Sequence, residues 1–151
     1  MKRRLHAAIA SFALLLIASF LVATVTAETV GGTQHVAMVK NLIVTPGLWL
    51  LIPCLMATGG SGFLLAKRGN HPYINAKKRR MPIIALNGLL ILVPCALYLQ
   101  QAAISGRYDG LFYAVQLLEL IAGSINLSLM TLNWLDGWRL HARYRRKSVM
   151  A

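Results

Sequence analysis

Four long runs of uncharged residues most constrain how this chain can fold. Residues 7–27, 41–66 and 81–106 contain no Asp, Glu, Lys or Arg, and residues 111–135 contain only Glu119. A helix needs about 20 mostly apolar residues to cross a hydrocarbon core roughly 30 Å thick, and each run is long enough. Helices of a soluble bundle would carry polar faces, which these runs largely lack.

The sequence therefore predicts an all-α fold, with the 151 residues forming one domain of a polytopic membrane protein. The predicted architecture is a bundle of four transmembrane helices, at approximately 7–27, 42–66, 82–104 and 111–135. Residues 28–40 are predicted to form an outer segment between the first two helices.

The first run allows a second interpretation. Residues 1–27 begin with basic residues and end with Val25-Thr26-Ala27, which fits a secretory signal peptide with a small-residue cleavage site. The apolar run is 21 residues long, beyond the roughly 7–15 residues of a signal peptide's apolar region. We therefore favour a retained first helix over a cleaved signal.

The distribution of basic residues predicts the orientation. All but two of the 16 Lys and Arg residues lie before the first run, between the second and third, or after the fourth; the exceptions are Lys40 and Arg107. Cytoplasmic loops are enriched in Lys and Arg, so both termini are predicted to be cytoplasmic. Since orientation explains the net charge of +12, no nucleic-acid partner is predicted. The basic loop 67–80 is instead expected to contact anionic lipid headgroups.

Proline and glycine residues predict where helices bend or end. Pro46 and Pro53 lie near the start of the second run, where each removes a backbone hydrogen bond, so kinks are expected there. Gly137 follows the fourth run and is predicted to end its helix.

The last run carries a polar stripe. Its members are separated by steps of three or four residues, which places them on one face of a helix: Gln116, Glu119, Gly123, Asn126, Met130, Asn133 and Gly137. The rest of the run is largely apolar, so this face is predicted to point into the bundle.

Glu119 is the most informative member of the stripe. It lies about eight residues, or ~12 Å, into its helix, where an isolated ionised carboxylate would cost several kcal/mol. The candidate partners at its depth are Tyr98, Gln101 and Gln116, with no Lys or Arg. The sequence therefore predicts a neutral carboxyl that donates a hydrogen bond to a neighbour.

Two further contacts are predicted from the same stripe. Asn126 is expected to bond to Asn87 across the third and fourth helices, which are adjacent because the turn between them is short. Asp136 is expected to pair with Arg139 at the membrane boundary.

Cofactor ligands are sparse, so neither a cofactor nor a metal is predicted. A haem between helices needs axial histidines facing each other, but no histidine lies in the middle of a run. A haem at the membrane boundary and a copper site involving buried thiols remain alternatives, with these candidate ligands: His6, His35, Cys54 and Cys95.

Two short motifs carry a resemblance. Thr45-Pro46-Gly47 opens a run that closes in a glycine-rich turn, and Asn133, Asp136-Gly137 and Arg139-Leu140 close the last one. These motifs resemble those of uncharacterised small bacterial four-span membrane proteins, distantly similar to the membrane domain of copper-resistance protein D. The resemblance implies a multi-pass protein of the bacterial inner membrane, without an activity to transfer to particular residues.

The functional hypothesis is a non-enzymatic membrane protein, because no catalytic signature is present. The favoured role is an accessory or assembly subunit that binds a larger inner-membrane complex or further copies of itself. One alternative is a small ion- or proton-coupled transporter that uses Glu119. Another is a haem- or copper-binding redox protein of the membrane.

Overall fold

The computed structural model describes residues 2–66 and 72–149, and four of its helical segments are long and apolar enough to cross a membrane. We name them spans 1 to 4: Leu5–Val30, Thr33–Ser61, Asn75–Ile104 and Gly110–Arg139. The predicted all-α bundle of four membrane-spanning helices is confirmed.

The spans are built from six α-helices. Span 1 lies in one helix and span 4 in another, whereas spans 2 and 3 are each interrupted by a short segment of wider, π-helical turns, at Ile43–Leu48 and Gly88–Leu92. The helices are α1 (Lys2–Val30), α2 (Thr33–Leu42), α3 (Trp49–Ala66), α4 (Pro72–Asn87), α5 (Val93–Ile104) and α6 (Gly110–Val149).

The interruption in span 2 has a local cause. Thr45 has extended backbone angles (φ −132°, ψ 108°) inside an otherwise helical stretch. The residue before a proline is pushed away from the helical region by the proline ring, and here that proline is Pro46. The kink predicted at Pro46 is therefore present, whereas Pro53 lies within the continuous α3.

The turns at one end of the bundle are short. Gly31 and Gly32 separate α1 from α2, and residues 105–109 separate α5 from α6. In the second turn Gly106 adopts φ +67°, which glycine tolerates because it lacks a Cβ. Asp109 then accepts a hydrogen bond from the Phe112 backbone N–H (2.9 Å) at the start of α6. We call this end of the bundle the turn end and the other the basic end.

The four spans form a ring in which each packs against its two sequence neighbours, with span 4 returning to span 1. Two apolar clusters fill the interior. One, nearer the turn end, includes Val36, Leu99 and Phe112, and the other includes Ile17, Ile84 and further apolar side chains. The outer surface of the ring exposes many large apolar side chains, as expected for helices surrounded by lipid.

Two predicted boundaries are wrong. Residues 28–40 do not form an outer segment, because α1 continues to Val30 and α2 begins at Thr33. This places Lys40 inside the bundle. The fourth helix does not end at Gly137 either, because α6 continues to Val149. A glycine within a helix costs only about 1 kcal/mol relative to Ala, which the long helix tolerates.

The cytoplasmic orientation of the basic end stays a prediction. Of the basic loop expected to contact anionic headgroups, residues 67–71 lie outside the described part of the chain.

Candidate functional site

A buried ion pair joins spans 2 and 4. The Lys40 Nζ lies 2.5 Å from Glu119 Oε2, and the Lys40 side chain is only 1% exposed. Gln116 Nε2 donates a second hydrogen bond to the same carboxylate oxygen, at 3.1 Å. Lys40, Glu119 and Gln116 are hereafter the ion-pair centre.

Helical spacing brings the two charged residues inward. Lys40 lies four residues after the buried Val36 and four before the buried Val44, so all three share one face of span 2. On α6, Glu119 lies between the buried Phe112 and the buried Asn126, each seven residues away. The ion-pair centre therefore lies between the two apolar clusters.

The prediction that no Lys or Arg reaches Glu119 is wrong. It depended on placing Lys40 outside the membrane, where its charge would be solvated. Of the other predicted partners, Gln116 contacts the carboxylate, whereas Gln101 is exposed and the buried Tyr98 hydroxyl has no hydrogen-bond partner among the described residues. The neutral Glu119 carboxyl was predicted on the assumption that no cation lies at its depth, and the structure places the Lys40 ammonium group there.

Glu28 on α1 is a second carboxylate close to this centre. It lies within electrostatic reach of both Lys40 and Glu119. Its Oε1 is buried and has no hydrogen-bond partner in the part of the chain that the structure describes. Glu28 is not among the site residues predicted from the sequence, because residues 28–40 were predicted to form an outer segment. The sequence does contain a signal for this region: a single Glu, Glu28, precedes the turn Gly31-Gly32, and a single Lys, Lys40, follows it.

Tyr108 marks the boundary of this region at the turn end. Its hydroxyl donates to the Thr33 carbonyl oxygen at 2.7 Å, which ties the turn 105–109 to the start of α2. Burial raises the pKa of the Tyr108 hydroxyl above its ordinary value of 10, and the nearby Glu28 and Tyr113 act in the same direction. Glu28 and Tyr108 thus both lie near the turn end, Glu28 two residues before the last residue of α1.

A cavity of about 70 Å³ adjoins Glu119 and is lined by all four spans. Thr24 and Glu119 are its polar lining residues, and the others are apolar or glycine, among them Phe20 and Gly123. Since one water molecule needs roughly 10–15 Å³ of such volume, the cavity has room for several. Glu119 is therefore one of two polar residues on the wall of a largely apolar cavity.

The predicted contact between Asn87 and Asn126 is present. Asn87 Nδ2 donates to Asn126 Oδ1 at 3.0 Å and to the Ala122 carbonyl oxygen at 2.8 Å. The fully buried Asn126 in turn donates to the Ile84 carbonyl oxygen at 3.4 Å. These bonds join spans 3 and 4 on the basic-end side of the ion-pair centre.

Polar contacts also occur at the basic end. Asp136 is 3.9 Å from Arg139, its predicted partner, but closer to Arg80, at 2.8 Å. Arg80 comes from α4, so this pair joins two spans rather than two turns of one helix. Asn133 is buried one turn away from Asp136, and its Oδ1 has no partner among the described residues.

The candidate haem and metal ligands are dispersed. His6 Nδ1 lies 2.7 Å from the Ser61 hydroxyl oxygen, and His35 is exposed on α2. Cys54 is half-buried on α3 and Cys95 is buried on α5. Within residues 2–66 and 72–149 no three His, Cys, Asp or Glu side chains form a group able to hold a metal.

Comparison of the chain with protein-family models, with curated proteins and with solved structures finds no match. The resemblance to small bacterial four-span proteins therefore stays a prediction. The four apolar spans show that the chain has the architecture of a multi-pass integral membrane protein.

Proposed function

We propose that the protein is a non-enzymatic carrier that moves a proton or another small cation across the membrane. The ion-pair centre is the site at which that ion acts. The observation that carries the proposal is the Lys40–Glu119 pair itself, a lysine that is 1% exposed and bound to a carboxylate from another span.

Packing alone is a weak reason for such a pair. Removing two charges from water is expensive, and replacing a buried ion pair with apolar residues of similar size is often neutral or stabilising. Charged residues inside membrane spans are rare for this reason, and they mark ion pathways and proton relays in many membrane proteins. The pair therefore favours an ion-linked function over a purely structural one.

The surroundings of Glu119 suit reversible protonation. Protonating its carboxylate would remove the attraction that links Lys40 of span 2 to Glu119 of span 4 across the interior of the ring. The adjoining cavity, which all four spans line, has the volume of several water molecules, and Thr24 and Glu119 supply its polar lining. A carrier needs at least two states, and here the two states would differ in the protonation of the Glu119 carboxyl group.

The direct test is ion flux through the protein in proteoliposomes. A pH gradient is imposed and proton entry is followed with an enclosed pH-sensitive dye. Glu119→Gln is expected to abolish the flux while keeping the shape of the side chain. Asp109→Asn is the matched control, since it makes the same chemical change outside the spans.

A flux equal to the wild type in Glu119→Gln, in protein shown to be folded by its unfolding transition, would contradict the proposal. A wild-type protein with no flux under either a proton or a sodium gradient would do the same.

An accessory or assembly role in a larger inner-membrane complex is the second candidate, and one observation favours it. Gln100 Nε2 donates to Asn41 Oδ1 at 2.8 Å in an exposed contact on the surface of spans 2 and 3. Polar side chains in spans normally face the bundle interior, and across helix interfaces they form hydrogen bonds. An exposed amide pair is therefore suited to a partner helix, from another membrane protein or a second copy.

The mass of the protein in mild detergent tests this second role. The wild type is expected to elute with a partner or as an oligomer, and Gln100→Leu together with Asn41→Leu is expected to release single chains. Ser128→Ala, at an exposed position of α6, serves as the control. A wild-type protein that is a single chain in a native-lipid extract would contradict the role.

A further inference from the structure

Three buried oxygen atoms in the part of the bundle towards the turn end lack hydrogen-bond partners among the described residues: Glu28 Oε1, Tyr98 Oη and Gln116 Oε1. Buried polar atoms in folded proteins are nearly all bonded, so unpaired ones point to a missing water, proton or ion. Gln116 is 4% exposed, and the nitrogen of its amide group binds Glu119. Because the oxygen and nitrogen of one amide are bonded to the same carbon, the unpaired Gln116 Oε1 also lies close to the Glu119 carboxylate.

The charges at this place do not balance. Glu28 and Glu119 are both within electrostatic reach of Lys40, and only Glu119 contacts its ammonium group directly. With all three groups ionised, the cluster carries one excess negative charge in a medium of low dielectric constant. Two carboxylates that share a site cannot both stay ionised cheaply, and the simplest relief is one added positive charge.

We propose that Glu28 is the entry carboxylate of the ion-pair centre and takes up one proton from the aqueous phase at the turn end. This inference rests on the proposed function and names its ion. A hydronium ion transfers a proton to a carboxylate oxygen of Glu28, which forms an O–H bond and leaves a water molecule. Lys40 keeps its own proton, and the cluster becomes neutral.

The position of Glu28 sets the side from which the proton comes. It lies two residues before the end of α1 at Val30, about 3 Å along the helix axis at 1.5 Å per residue. Tyr108 lies in the turn itself, whereas Lys40 and Glu119 lie about two turns or more inside α2 and α6, which begin at Thr33 and Gly110. Glu28 is therefore the first carboxylate of the cluster that a proton from the turn end meets.

Few other titratable groups face this cluster. Lys40 faces it from α2 and Glu119 from α6, and α5 contributes the thiol of Cys95, which lies within electrostatic reach of both, and the hydroxyl of Tyr98. The helix α3, which also packs against α1, carries no acidic, basic or histidine residue.

A proton fits this site better than a metal ion. Hard divalent cations take six to eight oxygen ligands. The described side chains offer fewer: the unpaired oxygens of Glu28 and Gln116, the carboxylate of Glu119, and the Thr24 hydroxyl on the cavity wall. The Lys40 ammonium also repels a second fixed cation, whereas a proton is absorbed into a carboxyl group and leaves it neutral.

The test uses dicyclohexylcarbodiimide, an apolar reagent that modifies protonated carboxyl groups inside membranes. The purified full-length protein is treated across a pH series, and modified peptides are identified by mass spectrometry. Glu28 is expected to react in acidic buffer and to lose its reactivity as the pH rises, equally in sodium and in choline chloride. A Glu28 that never reacts, or one that sodium protects at fixed pH, would overturn the inference.

A variant adds a second readout. Glu119→Gln removes the negative charge of the second carboxylate and leaves Lys40 without its carboxylate partner. The ionised form of Glu28 is then easier to keep, so modification of Glu28 is expected to require more acidic buffer than in the wild type. Asp109→Asn is expected to leave the modification of Glu28 unchanged. An unchanged Glu28 profile in folded Glu119→Gln would count against a shared site, and if that variant does not fold, the wild-type series decides alone.

The two proposals can fail separately. No flux together with pH-dependent modification of Glu28 would overturn the carrier and leave the proton site standing. Flux that depends on Glu119 while Glu28 stays unreactive would overturn the proton site and leave the carrier standing.

Discussion

Lys40 and Glu119 are 79 residues apart in the sequence and form an ion pair of 2.5 Å inside the bundle. The pair joins α2 to α6, two helices that are not consecutive along the chain. It lies between two apolar clusters and beside a cavity that all four spans line. A contact of this kind is both a constraint on the fold and a site whose charge can change.

Removing one partner of the pair should destabilise the protein more than removing both. Lys40→Met leaves an uncompensated buried carboxylate, which costs about 3–5 kcal/mol. Lys40→Met with Glu119→Leu removes both charges and should recover most of that loss. Unfolding in mixed detergent micelles measures both variants. A double variant as unstable as the single one would show that the charge on Glu119 is not what Lys40 compensates.

The Asn87–Asn126 contact should contribute modestly. Interhelical hydrogen bonds in membrane proteins have measured values of about 0.6 kcal/mol on average and at most about 2 kcal/mol. Asn126→Leu is expected to cost more than Asn87→Leu, since Asn126 is fully buried and also donates to Ile84. A double-mutant cycle of the two positions isolates their coupling, and additive effects would contradict a direct bond.

Substitution by alanine should change the stability of the bundle differently at two glycines of span 2. A Cβ at Gly47 would lie 2.7 Å from the ring of Phe20 and 2.9 Å from the Leu42 carbonyl oxygen, so Gly47→Ala should destabilise the bundle. A Cβ at Gly60 would meet nothing within 4 Å, and Gly60→Ala should be neutral or should stabilise α3 by up to about 1 kcal/mol. Equal effects on the unfolding transition would contradict the packing at Gly47.

The hydroxyl of Tyr108 should make stability depend on alkaline pH. Its pKa in the folded protein is raised above the ordinary value of 10, so the neutral form is favoured by folding. This contribution is complete below pH 10 and is lost as the pH rises through the higher folded value. Tyr108→Phe should remove this part of the alkaline destabilisation. If the phenolate of Tyr108, followed by its absorbance, formed with a pKa at or below the ordinary value of 10, the burial of the hydroxyl would be contradicted.

The sequence predicted the architecture because hydrocarbon imposes a strong and local requirement. Each span needs about 20 apolar residues, and that pattern is visible without knowing any contact. The inward face of α6 was also visible, since the spacing of Asn126 and Asn133 marks one helical face. The bond between Asn126 and Asn87 followed from the short turn that makes spans 3 and 4 adjacent.

The ion pair was not predictable by the same reasoning. Counting charges treats an isolated lysine as the boundary of a span, so Lys40 was placed outside and Glu119 was left without a partner. The energy that permits Lys40 inside comes from a residue 79 positions away, which no local pattern contains. Glu28 was missed for a related reason, because α1 continues past the predicted end of its apolar run at residue 27 to Val30.

The most direct measurement is the ionisation state of Glu119 in the membrane at neutral pH, by infrared difference spectroscopy of wild-type protein against Glu119→Gln. The ion pair with Lys40 predicts that the substitution removes a carboxylate band, and that acidic buffer replaces this band with one from a protonated carboxyl. A protonated carboxyl band already present at neutral pH, and lost in Glu119→Gln, would contradict the account.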